Sequence, residues 1–144
     1  MKRHIKKWLS LLLALCLLST TAFAANGTSE DSIVQPRYNY ISTVAVGLSI
    51  SLAGKATCDT GVTLYSASHS AEITMVLYRS DDDGDSWDDV KTWTYTGPGR
   101  SVDLTKYWYV TSGYDYIVQS WVYVYDADGE LIETTATTSP VKSY

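Results

Sequence analysis

Apolar and polar residues alternate along most of the chain from Tyr38 onward. This period of two is typical of β-strands with one buried face, because successive side chains point to opposite sides. The first predicted strand runs from Tyr38 to Ile50, and one of its faces carries Tyr38, Tyr40, Val44, Val46, Leu48 and Ile50. No stretch of this region shows a helical repeat. The pattern therefore predicts an all-β domain.

Six further strands are predicted between turn signals, near 56–64, 71–79, 87–96, 102–110, 114–125 and 131–137. The strongest turn signal is Asp128-Gly129, because an Asp-Gly pair supplies the positive φ angles of a tight hairpin. Cys58 falls on the apolar face of the second strand, so we expect it to be buried and inert.

Seven short strands without helices favour a single antiparallel β-sandwich. Their number and length fit an Ig-like or fibronectin-III-like arrangement, with a β-barrel as the alternative. We place the domain at residues 38–138, between a flexible polar leader at 25–37 and a C-terminal tail at 139–144.

Residues 1–24 have the order of a cleavable secretory signal peptide. Four basic residues precede an apolar run from Leu9 to Leu18, and small residues follow at Ala22 and Ala24. The run is too short for a membrane-spanning helix, which needs about 20 apolar residues. We therefore expect cleavage after Ala24 and a secreted, extracellular protein without a membrane attachment.

Cleavage would leave an acidic protein with one cysteine. The signal removes four of the 11 Lys and Arg residues and none of the 16 Asp and Glu residues, which leaves 7 against 16, a net charge of −9. Binding to nucleic acid depends on Lys and Arg, so no nucleic-acid partner is expected. Cys16 leaves with the signal, so Cys58 has no partner for an intramolecular disulfide.

Residues 80–87 read S-x-D-x-G-x-S-W. This segment resembles the Asp-box, a hairpin motif of sialidase propellers and of unrelated β-domains. The resemblance implies that Ser80 and Asp82 tie the turn, that Gly84 takes a left-handed conformation and that Trp87 packs beneath the loop. A single copy cannot build a propeller, so the motif implies structure and no enzyme activity.

The same segment is rich in aspartate, which raises a calcium hypothesis. An EF-hand loop needs acidic ligands at positions 1 and 12 and glycine at position 6. Placing Gly84 at position 6 puts Arg79 first and Val90 last, so the pattern fails. No metal or cofactor is predicted, although a looser calcium site in the 81–89 turn stays open.

Residues 113–118 read G-Y-D-Y-I-V and lead to the Asp-Gly turn. They resemble the sixth strand of fibronectin-III domains, where a tyrosine bonds to upstream backbone in the tyrosine corner. The resemblance implies that Tyr114 or Tyr116 has this role.

Three segments together resemble a family of small secreted proteins from Gram-positive bacteria that has no assigned function. They are Q-P-R-Y-x-Y-I at 35–41, G-K-A-T-C at 54–58 and S-x-D-x-G-x-S-W-x-x-V-K-x-W at 80–93. The resemblance implies a fold and no activity.

Catalytic signals are weak. His69 is the one histidine after residue 24, and with Cys58 buried the two cannot form a tetrahedral zinc site. His69 lacks an accompanying nucleophile-elbow sequence. We therefore predict no catalytic residue and a non-enzyme, while paired loop carboxylates of a small carbohydrate-active hydrolase remain the alternative.

The longest predicted strand carries a candidate contact surface. If Val118, Val122 and Val124 point inward, then Ile117, Trp121, Tyr123 and Tyr125 point outward, and neighbouring strands would add Tyr78, Trp93 and Tyr95. Exposed aromatic strips mark contact sites, here for an extracellular protein, a glycan or a second copy of the chain. Aromatic cross-strand pairs also stabilise sheets without any ligand.

Overall fold

A computed structural model describes residues 37–144. The predicted signal peptide at 1–24 and all but the last residue of the predicted leader lie outside the described residues. In the described part of the chain the regular structure is all β, as the alternation predicted. No helix long and apolar enough to cross a membrane occurs there.

Eight strands form two antiparallel sheets. The strands are β1 (Ile41–Ile50), β2 (Lys55–Leu64), β3 (Ser70–Ser80), β4 (Asp88–Pro98), β5 (Ser101–Tyr109), β6 (Asp115–Tyr125), β7 (Leu131–Thr138) and β8 (Lys142–Ser143). One sheet has the order β1-β2-β5, and the other has the order β4-β3-β6-β7, with β8 paired to the start of β6. The seven predicted strands are all present.

The alternation on the central strands places one face of each sheet in a common core. Ile73, Met75 and Leu77 of β3 are fully buried, as predicted. The inward positions of β6 and β2, including Val118, Val122, Val124 and Cys58, are also fully buried and join them. Each large apolar side chain contributes roughly 1.5–3 kcal/mol by leaving water.

The hydroxyl of Thr60 makes polar contacts between the two sheets inside this core. Thr60 of β2 and Ser120 of β6 are buried, and their hydroxyl oxygens lie 2.6 Å apart. The Thr60 hydroxyl also lies 3.4 Å from the Met75 sulfur. A buried hydroxyl without a hydrogen-bond partner would destabilise the fold. Because Thr60 and Ser120 bond to each other, both can occupy inward positions in the core.

The first strand contains a bulge that reverses part of its predicted pattern. The pairing with β2 shifts between Ile41 and Thr43, so Ser42 is an extra residue in β1. One extra residue moves the preceding side chains to the other face. Ile41 is therefore fully buried and Tyr40 is exposed, and the prediction that Tyr40 shares a face with Val44 is wrong.

A carboxylate from the other sheet holds the chain where β1 begins. Glu133 of β7 accepts hydrogen bonds from the backbone N–H groups of Asn39, Tyr40 and Ile41 at 2.8, 2.9 and 3.0 Å. An ionised carboxylate is a strong acceptor for such N–H groups, so Glu133 holds the backbone at the start of β1.

The predicted C-terminal tail is part of the fold. β8 pairs with Asp115 and Tyr116, and the buried Ser139 accepts a 3.0 Å hydrogen bond from the Val118 N–H. Two paired residues carry no readable periodicity, so the sequence pattern did not indicate this strand.

The backbone bond expected of Tyr114 or Tyr116 is made by Tyr116. Its buried hydroxyl donates to the carbonyl of Thr111 at 2.6 Å and accepts from the Thr111 N–H at 3.2 Å. Burial raises the pKa of Tyr116, which keeps this hydroxyl neutral and able to donate. Tyr116 therefore fixes the connection from β5 to β6.

Replacing Tyr116 with phenylalanine should remove both bonds and leave the Thr111 backbone groups without this partner. We expect a loss of about 1–3 kcal/mol in the free energy of unfolding, measured by urea denaturation. Tyr114→Phe is the matched control, because its hydroxyl makes neither bond, and it should change stability by less than about 0.5 kcal/mol. Equal losses in the two variants would contradict the assignment.

Candidate functional site

The outer face of the five-stranded sheet carries a strip of large side chains. We define the aromatic strip as Tyr78 of β3 and Ile117, Trp121, Tyr123 and Tyr125 of β6. β3 and β6 pair without a register shift, which sets Tyr78 beside Ile117. Since the intervening β6 residues are buried in the core, the strip faces away from it. Its members are half-buried.

Threonines frame the strip on both sides. Thr92, Thr94 and Thr96 of β4 and Thr134 and Thr138 of β7 lie on the same outer face. Trp121 lies between Thr74 and Ala136, and Tyr123 lies between Glu72 and Thr134. Small side chains therefore lie beside the large rings on this face. Such a face can make a flat contact with another molecule.

The prediction that Trp93 belongs to this strip is wrong. Trp93 pairs with Met75 and so projects on the core side of the sheet. Its ring meets the ring of Trp108 of β5 edge-on, with centroids 6.5 Å apart. Tyr95 pairs with Ile73 and lies on the same inner side, partly beyond the core. The register of β4 on β3 decides these faces, and periodicity alone does not contain it.

A second group of aromatic side chains was missed from the sequence. Tyr107, Trp108 and Tyr109 end the edge strand β5, with 57%, 39% and 73% of their surfaces exposed. Three successive aromatic residues in a strand cannot all be buried on one face, and this was the available signal. Lys55 places its Nζ 4.2 Å from the Tyr107 ring centroid, and Lys91 places its Nζ 4.9 Å from that of Trp108. Both contacts have cation–π geometry.

The aspartate-rich turn between β3 and β4 is ordered by its own side chains. The Ser80 hydroxyl donates to Asp82 at 2.6 Å and accepts from the Gly84 N–H at 2.9 Å. Asp82 also accepts from the N–H and the hydroxyl of Ser86, at 2.9 and 2.6 Å. Gly84 has a φ of 92°. The Trp87 ring lies against it, because a β-carbon at Gly84 would come within 3.3 Å of Cζ2.

These bonds engage both carboxylate oxygens of Asp82. The hydroxyl of Ser80, followed by the bonds from Ser86, lowers the pKa of Asp82 to about 2. Within residues 37–144, no group of three or more His, Cys, Asp or Glu side chains is placed to hold a metal ion. The hydrogen bonds of Ser80 and Asp82 therefore order the backbone of the turn.

An open cavity of about 330 Å³ lies next to this turn. Its lining includes Ser80, Asp81 and Asp83 from the turn, and Tyr114, Asp115 and Tyr144 from the β6 and β8 side. Three carboxylates make the cavity anionic, so electrostatics there favour a cation over an anion.

The two residues with nucleophile or base chemistry lie apart from these surfaces. Burial, followed by the charge of Asp59, raises the pKa of the Cys58 thiol to about 12, so the thiol is buried and inert as predicted. His69 has a buried Nδ1 without a hydrogen-bond partner among the described residues. Its ring meets that of Tyr40 edge-on at 5.4 Å. A catalytic triad needs this nitrogen bonded to an orienting carboxylate.

Comparisons with known proteins add little. No protein-family model matches the chain, and no curated protein matches it. A similar solved structure is the crystal structure of Bifidobacterium adolescentis GH3 beta-glucosidase, with 18% sequence identity and a TM-score of 0.33. The match covers 71% of this chain and 18% of that chain. A TM-score this low assigns neither a fold nor an activity to this protein.

The Asp82 turn should make stability depend on pH in the acid range. A carboxyl whose pKa is lower in the folded state stabilises the fold above its unfolded pKa, and this contribution is lost as the pH falls towards 2. The difference in melting temperature between wild type and Asp82→Ala should be constant above about pH 5 and shrink between about pH 4 and 2. Asp81→Ala, a neighbouring exposed acid outside these bonds, is the control. A difference that stays constant down to pH 2 would contradict the ionised hydrogen-bonded carboxylate.

Proposed function

We propose that this protein is an exported, non-catalytic binding module with a fibronectin-III-type sandwich, and that it contacts a protein partner through the aromatic strip. The observation that carries the proposal is the position of Trp121, Tyr123 and Tyr125. They lie side by side on a sheet face that no other described element covers. Large aromatic side chains in such positions are the residues that most often dominate protein contacts.

Two features support the fibronectin-III type. The order β1-β2-β5 faces the order β4-β3-β6-β7, to which the short β8 is added, so β4 pairs with β3 on the sheet that contains β6 and β7. In addition, Tyr116 near the start of β6 bonds to the backbone five residues upstream, which is the geometry of a tyrosine corner. The hydrogen bonds of Ser80 and Asp82 likewise support an Asp-box type of turn with a structural role.

The N-terminal pattern of residues 1–24 supports export. Three properties of the described residues support binding over catalysis: an inert buried thiol, a histidine without an orienting carboxylate, and aspartates engaged in a turn. A flat face bordered by threonines suits a protein surface better than a narrow ligand, which pockets usually enclose. A glycan that stacks on the same rings is the alternative occupant.

Replacing Trp121 with alanine should remove the centre of this contact. The test captures proteins from culture medium on the immobilised chain, with Tyr107→Ala as a control that removes an exposed aromatic ring from the other sheet. A partner that binds wild type and Tyr107→Ala alike should bind Trp121→Ala at least about tenfold more weakly. Because Trp121 is half-buried on the outer face, the melting temperature of the variant should fall by only a few degrees.

Three outcomes would overturn parts of this proposal. A partner that binds Trp121→Ala normally would exclude the strip as its contact surface. Binding to an oligosaccharide on a glycan array, lost in Trp121→Ala, would replace the protein partner with a glycan. Turnover of a chromogenic glycoside, abolished by one carboxylate substitution, would show an enzyme.

A further inference from the structure

The open edge at β5 is the most regular of the outer sheet edges. Three other edge strands each carry an extra residue in a bulge: Ser42 in β1, Val90 in β4 and Ile132 in β7. The remaining edge strand, β8, is only 2 residues long. β5 pairs with β2 from Ser101 to Tyr109 without a shift. Bulges on edge strands prevent another strand from adding to the sheet. β5 lacks this protection.

The backbone of β5 offers hydrogen-bonding groups along its open side. Two hydrogen bonds show which residues along β5 direct their backbone groups towards β2. The Leu64 N–H donates to the Arg100 carbonyl, and the Val110 N–H donates to the Gly54 carbonyl. In an antiparallel ladder the facing direction alternates along the strand. The residues that direct N–H and C=O away from β2 are therefore Ser101, Asp103, Thr105, Tyr107 and Tyr109. Within the described part of the chain, no strand pairs with this side.

Three lysines lie along the second half of this edge, while Asp59 lies opposite Thr105 where that half begins. Lys106 is exposed on the inner face of the sheet, opposite Cys58. Lys91 reaches the Trp108 ring on that same side, while Lys55 covers Tyr107 on the outer face. An added strand here would lie between lysines on both faces and would contact exposed aromatic rings.

We propose that β5 binds an extended acidic peptide by strand addition. Main-chain hydrogen bonds to Thr105, Tyr107 and Tyr109 would provide binding that does not depend on peptide side chains. Acidic peptide side chains on the inner face would pair with Lys106 and Lys91, and the exposed tyrosines would cover the outer face. This surface is separate from the aromatic strip and does not depend on the function proposed for the strip.

The same lysine disfavours a second copy of the chain as the added strand. Two copies of the chain could pair their β5 strands in antiparallel orientation. Placing Thr105 opposite Thr105 would then satisfy all the outward backbone groups of both strands. That register places the two Lys106 side chains at diagonal positions on one face, where like charges repel. An inward-pointing charge on an edge strand is a known device against self-pairing. An acidic peptide would neutralise the charge.

The probe for this site is the capped heptapeptide Thr-Glu-Val-Glu-Val-Glu-Thr. Adding it to the protein should change the tryptophan fluorescence, to which Trp93 and Trp108 beside this edge contribute. It should also slow hydrogen exchange of the Thr105, Tyr107 and Tyr109 amides, since these donors become bonded. A peptide with lysine in place of glutamate should bind at least about tenfold more weakly, and added salt should weaken the glutamate peptide.

Lys106→Glu should weaken binding of the glutamate peptide at least about tenfold and reverse the preference towards the lysine peptide. Lys142→Glu on β8 makes the same charge change away from β5 and should stay within about twofold of wild type. Lys106 and Lys142 are both exposed, so both variants should melt close to wild type. Trp121→Ala should leave this binding unchanged, which separates the two surfaces.

Several results would overturn the proposal. These are equal binding of the glutamate and lysine peptides, equal binding by Lys106→Glu and wild type, or binding without slower exchange at the three β5 amides. A wild-type dimer in sedimentation that is lost on replacing Thr105 with proline would identify the second copy as the occupant instead.

Discussion

The pairing of β3 with β6 is the interaction on which the rest of the structure depends. The two strands run together from Ser70 opposite Tyr125 to Ser80 opposite Asp115 with no shift in register. This single alignment directs Ile73, Met75, Val118 and Val122 into the core. Since side chains alternate, the same alignment directs Trp121 and Tyr123 outward. The aromatic strip therefore follows from the burial of the opposite face.

Polar side chains hold the places where the regular pairing ends. Asp82 and Ser80 order the turn after β3, Tyr116 fixes the connection into β6, and Glu133 holds the backbone ahead of the bulge in β1. In each case a side chain bonds to backbone groups that lack a partner in the sheets. Unpaired backbone groups destabilise a fold wherever water cannot reach them. Each of these hydrogen bonds therefore stabilises the chain at a place where regular strand pairing ends.

The edges of the two sheets differ, and the difference has chemical consequences. Extra residues distort β1, β4 and β7, whereas β5 stays regular and carries its charge on Lys106. At the same place, Trp93 and Trp108 meet across the gap between the sheets. The β5 edge thus combines free backbone groups, aromatic rings and lysines on a chain whose other charges are mostly acidic. The aromatic strip, by contrast, lies on a sheet face with its backbone fully paired.

Local sequence determined much of this protein. The period of two located seven strands and the inward residues of β3 and β6, because each depends only on side-chain direction along one strand. The Asp82 turn was equally readable, since its bonds join residues at most four positions apart.

Tertiary structure decided the rest. The face of Trp93, the exposure of Tyr40, the pairing of β8 and the reach of Glu133 across more than 90 residues all depend on register between distant strands. A bulge adds one residue to a strand without changing the kind of residues the strand contains. It nevertheless reverses which side chains on one side of the bulge are buried. Whether Tyr107 to Tyr109 would lie at an open edge depended on strand order. No local pattern specifies strand order, because it results from how the two sheets share one core.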